Sequence, residues 1–126
     1  MDRQFYRVLG IAISAAILAG CGVAQVDEEL ADRGEKAFRV CAACHALRPG
    51  QILVGPSLAG IFGRKAGSER GFPYSTALAE SDLRWDEDSL SIYIANPNSL
   101  VPGTNMVAPG VTHSDATAIV EFLKTQ

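Results

Sequence analysis

Apolar residues recur at helical spacing in two widely separated stretches of the chain. Near its start, Leu30, Gly34, Ala37, Phe38 and Cys41 share one face of a helix predicted to run from an Asp27 N-cap to about Cys41. Near its end, Ala116, Ile119, Val120 and Leu123 repeat in steps of three and four. Thr112 and Asp115 stand ahead of that stripe at the spacing of a capping box. Gly34 lies inside the first stripe, where glycine costs about 1 kcal/mol relative to alanine, so another helix is expected to approach it closely. Between these two, "DEDSLSIYIANP" predicts a helix with acidic residues in its first turn and Pro97 beyond its end, and a short helix is expected over Ser75 to Glu80. The text from Ala46 to Pro73, and again "NPNSLVPGTNMVAPG", is rich in glycine and proline and shows no periodicity. The prediction is an all-α fold of short helices and long irregular loops, without internal repeats. Loops of that length are uncommon in a compact domain unless something supports them, and these hold too few apolar side chains to order themselves.

The first twenty positions follow a different rule. Arg3 and Arg7 precede the uncharged run "VLGIAISAAILAG", the layout of an export signal over residues 1–20. "LAGC", ending at Cys21, resembles the bacterial lipobox, in which the cysteine is lipidated and begins the mature protein. The alternative is an uncleaved signal anchor, since the run from Val8 to Ala24 is at the lower limit for a span. Both send the domain across a membrane and keep it attached. The anchor and linker occupy 21–27; fully extended, Gly22 to Asp27 reaches roughly 20 Å, so the domain, residues 28–126, stays near the membrane surface.

Charge narrows the function. The chain is 20% charged with a formal charge of −3, and cleavage before Cys21 removes Asp2, Arg3 and Arg7, leaving it more acidic. No basic surface is available for nucleic acid. A domain of about a hundred residues buries only a modest core, which a large apolar cofactor would augment.

The chemistry concentrates in "CAACH", with Cys41, Cys44 and His45. As half of a zinc site the two cysteines need a second ligand cluster, yet Cys21 lies in the export segment and His113 stands alone. As a redox dithiol they belong at a strand-to-helix junction, and no strand pattern is present. As a structural disulfide they close almost no loop. Covalent haem attachment through C-x-x-C-H uses all three residues, with the thiols bonded to the haem and His45 as an axial iron ligand. The chain has two methionines, and Met1 opens the export signal, so a thioether ligand can only be Met106, in "VPGTNMV". Taken singly, that methionine reads as core filler. His113, read as a surface residue at the start of the last helix, is the alternative second ligand in a bis-histidine site.

At this point the pieces "CAACH", "VGPSLAGIFGRKAG", "GFPYSTA", Trp85, "YIANP" and "PGTNM" can be taken in order. From about Leu30 to Lys124 they resemble a class I cytochrome c of the mitochondrial and bacterial type, which implies the cytochrome c fold around one haem c. The resemblance implies that the Pro56 carbonyl accepts a hydrogen bond from His45, and that Arg64, Tyr74 and Trp85 hold the haem propionates. It places Tyr93 near the Met106 sulfur, makes Asn96 and Thr104 further hydrogen-bonding positions, and packs Gly34 and Phe38 against Ile119 and Phe122. The sequence departs from that pattern at Asn105, where mitochondrial relatives carry lysine, and at Ala108, where they carry an aromatic residue. Only Lys36, Lys65 and Lys124 occur in the whole chain, so the lysine-ringed docking face of those relatives is not expected here. The implied function is a membrane-tethered, mono-haem carrier passing single electrons between membrane-bound redox proteins on the periplasmic side, and not an enzyme. A gas-binding haem sensor and a fixed electron-transfer subunit of an oxidoreductase are the alternatives.

Overall fold

The computed structural model describes residues 26–108 and 110–126; the export-like segment and Cys21 lie outside these. Five helices are described: α1 (Glu28–Ala42), α2 (Thr76–Ala79), α3 (Glu87–Ala95), α4 (Pro97–Leu100) and α5 (His113–Leu123). Extended pairing among the described residues amounts to one isolated bridge, Lys65 with Arg84. The fold is therefore all-α with long loops, as the periodicity predicts. No described helix is long and apolar enough to cross a membrane.

Local chemistry accounts for the helix ends. The Asp27 carboxylate accepts the Leu30 amide at 3.0 Å, while Glu28 and Glu29 lie at the positive end of the α1 dipole and Arg39 in its last turn. At α5 the Thr112 hydroxyl accepts the Asp115 amide at 3.1 Å and donates to the Asp115 carboxylate at 2.6 Å. The return bond thus goes to the hydroxyl rather than to the backbone as in a capping box. The reciprocal box stands at α3 instead: Ser89 N donates to Asp86 Oδ1 at 2.8 Å, and Asp86 N to Ser89 Oγ at 2.9 Å. The Ser89 hydroxyl and amide hold the Asp86 carboxyl below the usual carboxylate range.

Pro97 does more than stop α3. Asn96 ends α3 and also caps α4, accepting the Ser99 amide at 3.3 Å, with Pro97 in the first helical position. This single turn falls in a segment expected to be loop; it is too short to show a period, and its signal is the Asn-Pro cap.

The tertiary frame is the packing of α1 on α5. A Cβ built on Gly34 would stand 1.9 Å from the Ala118 carbonyl oxygen and 2.9 Å from Phe122 Cβ, so the two backbones approach as only glycine permits. The residue opposite Gly34 is Ala118, one position away from the expected Ile119. Beside the crossing the Phe38 and Phe122 rings tilt at 50°, 5.3 Å between centroids. Ala31, Gly34 and Phe38 are the buried residues of α1; Leu30, Ala37 and Cys41, expected on the same stripe, are half-buried at its edges. All four residues of the α5 stripe are buried, as is Ala118. At roughly 1.5–3 kcal/mol for each fully buried large aliphatic, Ile119, Val120 and Leu123 anchor this crossing.

A buried carboxylate ties three helices. Glu121, 7% exposed, accepts the Asp27 amide at 2.7 Å and the Lys124 ammonium at 2.8 Å, and Lys124 reaches Glu87 at 2.9 Å. The start of α1, the end of α5 and the start of α3 meet there. Lys124 lowers the Glu121 carboxyl, and Glu121, followed by Glu87, raises the Lys124 ammonium. The long loop ahead of α2 is held by backbone bonds to the segment before α3: Gly63 N to Trp85 O at 2.7 Å, Trp85 N to Arg64 O at 3.0 Å, Ala66 N to Leu83 O at 2.8 Å.

Candidate functional site

The last turn of α1 carries Cys41, and the chain then folds so that His45 N–H donates to Cys41 O at 2.9 Å. This brings Cys41, Cys44 and His45 into one local cluster. Both cysteines are free thiols, each half-buried. Burial pushes the Cys41 thiol above its usual range, and neighbouring Cys44 adds to this. Among the described residues no three His, Cys, Asp or Glu side chains cluster as a metal site of their own.

The loop after the cluster returns beneath the imidazole. Gly55 N donates to Cys44 O at 2.8 Å, and Leu58 N to Ala46 O at 2.9 Å. The next residue, Pro56, presents its carbonyl oxygen 2.8 Å from His45 Nδ1. A carbonyl only accepts, so Nδ1 carries the proton and Nε2 keeps the lone pair that can bind a metal. Gly55 lies against the ring itself: a Cβ there would fall 2.5 Å from His45 Cε1 and 2.9 Å from Nε2. Gly55 is a functional position beyond those singled out in the sequence. Its only signal there is a glycine before proline, which reads equally as an ordinary turn.

Met106 is set by a second string of contacts. Tyr93, buried on α3, shares a 2.5 Å hydrogen bond with the Thr104 hydroxyl, which also receives the Met106 amide at 3.3 Å. Burial pushes the Tyr93 phenol upward, partly countered by the Thr104 bond. Tyr93 rests against Trp85, ring centroids 4.9 Å apart. Met106 is half-buried and packs on the core that these aromatics belong to. His113 is exposed at the first position of α5.

Arg64 and Tyr74 come together around Glu69. The Arg64 guanidinium donates to Ser57 O at 2.6 Å, Ala59 O at 3.2 Å and Glu69 Oε2 at 2.9 Å, and the Tyr74 hydroxyl accepts the Glu69 amide at 3.3 Å. Burial raises the Tyr74 phenol, while the bond from Glu69 and the charge of Arg64 act the other way. Glu69 thus stands as a partner of Arg64 that no periodicity marks. Ser57, fully buried, donates to Arg48 O at 2.7 Å and shapes the same loop. Asn96 stands apart from this group, exposed and committed to capping α4.

The donor set fits a covalently attached haem. Two thiols three residues apart precede an imidazole whose Nδ1 is occupied and whose ring lies on a Cβ-free surface. A thioether stands on a separately braced loop, and an arginine on the Glu69 carboxylate and a tyrosine on the Glu69 amide meet at one residue. Burial of such a group would add to the apolar contacts that order the two long loops.

Comparison with known proteins bears on the same residues. The family described as Cytochrome c matches residues 31–126. Cytochrome c2 iso-2 of Magnetospirillum molischianum is 46% identical over 89 residues, covering 70% of this chain and 92% of that protein. Cytochrome c2 of Rhodoblastus acidophilus is 51% identical over 81 residues, 64% of this chain and 76% of its own. Among solved structures, cytochrome cH from Methylobacterium extorquens superposes with a TM-score of 0.70 at 43% identity, covering 76% of this chain and 98% of that one.

Proposed function

The chain belongs to the cytochrome c family, and from that premise we propose that it is a membrane-tethered carrier of single electrons rather than an enzyme, working between membrane-bound redox proteins on the periplasmic side of a bacterial membrane. The family carries one covalently attached c-type haem. When bound, that group supplies an iron that exchanges one electron at a time between its ferrous and ferric states.

The protein's residues have distinct tasks around it. Cys41 and Cys44 would hold the porphyrin through sulfur, so that the cofactor stays with the chain through every electron passed. His45 would offer Nε2 to the iron, and Pro56 fixes the ring and strengthens it as a ligand by accepting the Nδ1 proton's hydrogen bond. Met106 offers a thioether, which favours the ferrous state and raises the potential. Tyr93 and Thr104 brace its loop. Arg64 and Tyr74 supply donors and positive charge to the propionates, whose burial is costly without partners. His45 and Met106 would both be ligands to the iron and would leave no open place for an exogenous gas, which favours the carrier over the sensor reading. The observation that carries the proposal is the His45 arrangement, with Nδ1 2.8 Å from Pro56 O and Gly55 against the ring. Such a fit leaves the Nε2 lone pair for a metal and serves no need of an ordinary surface histidine.

The tether adds location. A linker of roughly 20 Å keeps the domain beside complexes in the same membrane and replaces free diffusion with a high local concentration. Intact mass spectrometry of the protein extracted from membranes tests both parts. The expected mass is that of a chain beginning at Cys21, plus one haem, plus acyl groups. A haem-free mass refutes the carrier; a haem-containing mass that includes residues 1–20 replaces the lipid anchor with a peptide one. In the ferric haem protein, Met106→Ala should abolish the weak red sulfur-to-iron absorption band.

A further inference from the structure

We propose that the face around the haem attachment docks protein partners whose own contact surface is uncharged and apolar, without electrostatic steering; this rests on the haem-carrier reading above. The three most exposed large apolar side chains among the described residues are Val107 at 81%, Val54 at 77% and Val40 at 61%. Each is adjacent in the chain to a residue of the site: Val107 follows Met106, Val40 precedes Cys41, and Val54 precedes Gly55, which lies on the His45 ring. Ile52 and Leu53 extend the last of these; Leu53 N–H is bonded to Gly55 O at 3.0 Å, and Gly55 N–H to Cys44 O at 2.8 Å, which keeps the tripeptide on the cysteine segment. A single exposed valine is ordinary; apolar side chains gathered at all three approaches to one site mark a contact surface.

Charge is distributed to match. From Ser89 to Ser114 the chain has no Asp, Glu, Lys or Arg, and from Val40 to Gly63 it has only Arg48. Apart from Arg48 and the export-like segment, the charged residues are carried by Asp27 and α1, whose Arg39 adjoins Val40, by the segment from Arg64 to Asp88 and by the end of the chain. Ala42, Ala43 and Asn105, neighbours of the site residues in sequence, are exposed and uncharged. A strongly charged partner face set against this surface would lose hydration and find no opposite charge in return, whereas an uncharged apolar face loses nothing by contact. Encounter then proceeds at the slower, salt-insensitive rate of unsteered proteins.

A second copy of this chain has the required kind of face, so electron self-exchange between ferrous and ferric holoprotein is the direct test. The exported Cys21→Ser holoprotein is used, with exchange read from NMR line broadening. Between about 0.1 M and 1 M salt, where charges beyond roughly 10 Å are screened, the rate constant should change less than about two-fold. Val54→Lys/Val107→Lys should slow exchange several-fold at about 0.1 M salt, with absorption spectrum and potential retained. Whole-molecule repulsion predicts the reverse, because two lysines reduce the net negative charge. Val54→Asn/Val107→Asn should slow exchange at every salt concentration, and keeps the test open if the lysine protein folds poorly. A steep salt dependence in the unmodified face, or variants exchanging as fast as it does, overturns the proposal. Sedimentation with uncharged phosphatidylcholine vesicles that is lost in the lysine variant assigns the face to a bilayer and also overturns it. A preparation without haem absorption sinks the carrier reading instead, and is recognised before any rate is measured.

Discussion

Residue by residue, the site divides into positions whose chemistry is written in their type and positions whose importance comes from where they touch. Cys41, Cys44 and His45 announce themselves because few other chemistries use two thiols and an imidazole at that spacing. Gly55 does not. Its role is to have no side chain where the His45 ring lies, and only the folded loop shows that. Gly55→Ala should therefore disturb ligation far more than its size suggests. Its Cβ would have to push the imidazole away from Pro56, weakening the Nδ1 bond. The expected outcome is a lower yield of attached haem and altered hyperfine-shifted NMR resonances of the His45 ring; an unchanged spectrum would show that the loop can yield. Glu69 illustrates the same point from the polar side. In the sequence it is a lone acid in a long glycine-rich loop, and in the fold it accepts from Arg64 at 2.9 Å with both side chains largely shielded.

The elements were legible in proportion to their length. α1 and α5 span enough turns for a period to emerge, and their buried faces follow it; α4, a single turn, has none to show. Capping was legible in kind but not always in place, since Asp-x-x-Ser at α3 makes the reciprocal box and Thr-x-x-Asp at α5 does not. The contact between elements is sharper than either element alone. Gly34→Ala gains about 1 kcal/mol of helix propensity, yet its Cβ would meet the Ala118 carbonyl at 1.9 Å. Overpacking of this kind typically costs about 1–3 kcal/mol and sometimes more, so a net loss is expected in the urea midpoint. A rise in that midpoint would falsify the close crossing.

The Glu121 tie gives these same elements a pH dependence. Its folded-state carboxyl lies below the unfolded value, so its contribution is present above the unfolded carboxylate range and is lost as pH falls through the folded one. Lys124 is raised, so its contribution is full below the unfolded ammonium range and fades as pH rises through the folded one. Glu121→Ala should cost about 1.5–3 kcal/mol, the range for hydrogen bonds to charged groups. That difference should be level across neutral pH and shrink at both extremes, as read from urea unfolding at several pH values. The outer Lys124–Glu87 bond contributes less, because Glu87 is largely in water.

At the scale of the whole molecule the interior is shared between protein and cofactor. Among the described residues, five helices and two long loops make a domain of about a hundred residues, a size at which the buried core is modest. A group that binds only the folded state adds its own binding free energy to stability. Expressed without haem attachment, as Cys41→Ala/Cys44→Ala, the chain should lose much of its helical circular dichroism and its cooperative melting. A haem-free chain as helical and as cooperative as the holoprotein would show that its own side chains suffice. The sequence alone determined what depends on residue type and near neighbours: the helical stripes, the attachment motif, Met106 as the available thioether, and the missing lysines. Those readings are local because covalent spacing and hydrophobic period are local. Tertiary structure alone decided which surfaces meet: Gly34 on Ala118, Gly55 on His45, Glu121 between three helix ends, and Arg64 on Glu69. Each of these joins residues through space, by steric exclusion or by charge brought into a shielded interior, and no spacing along the chain encodes that distance.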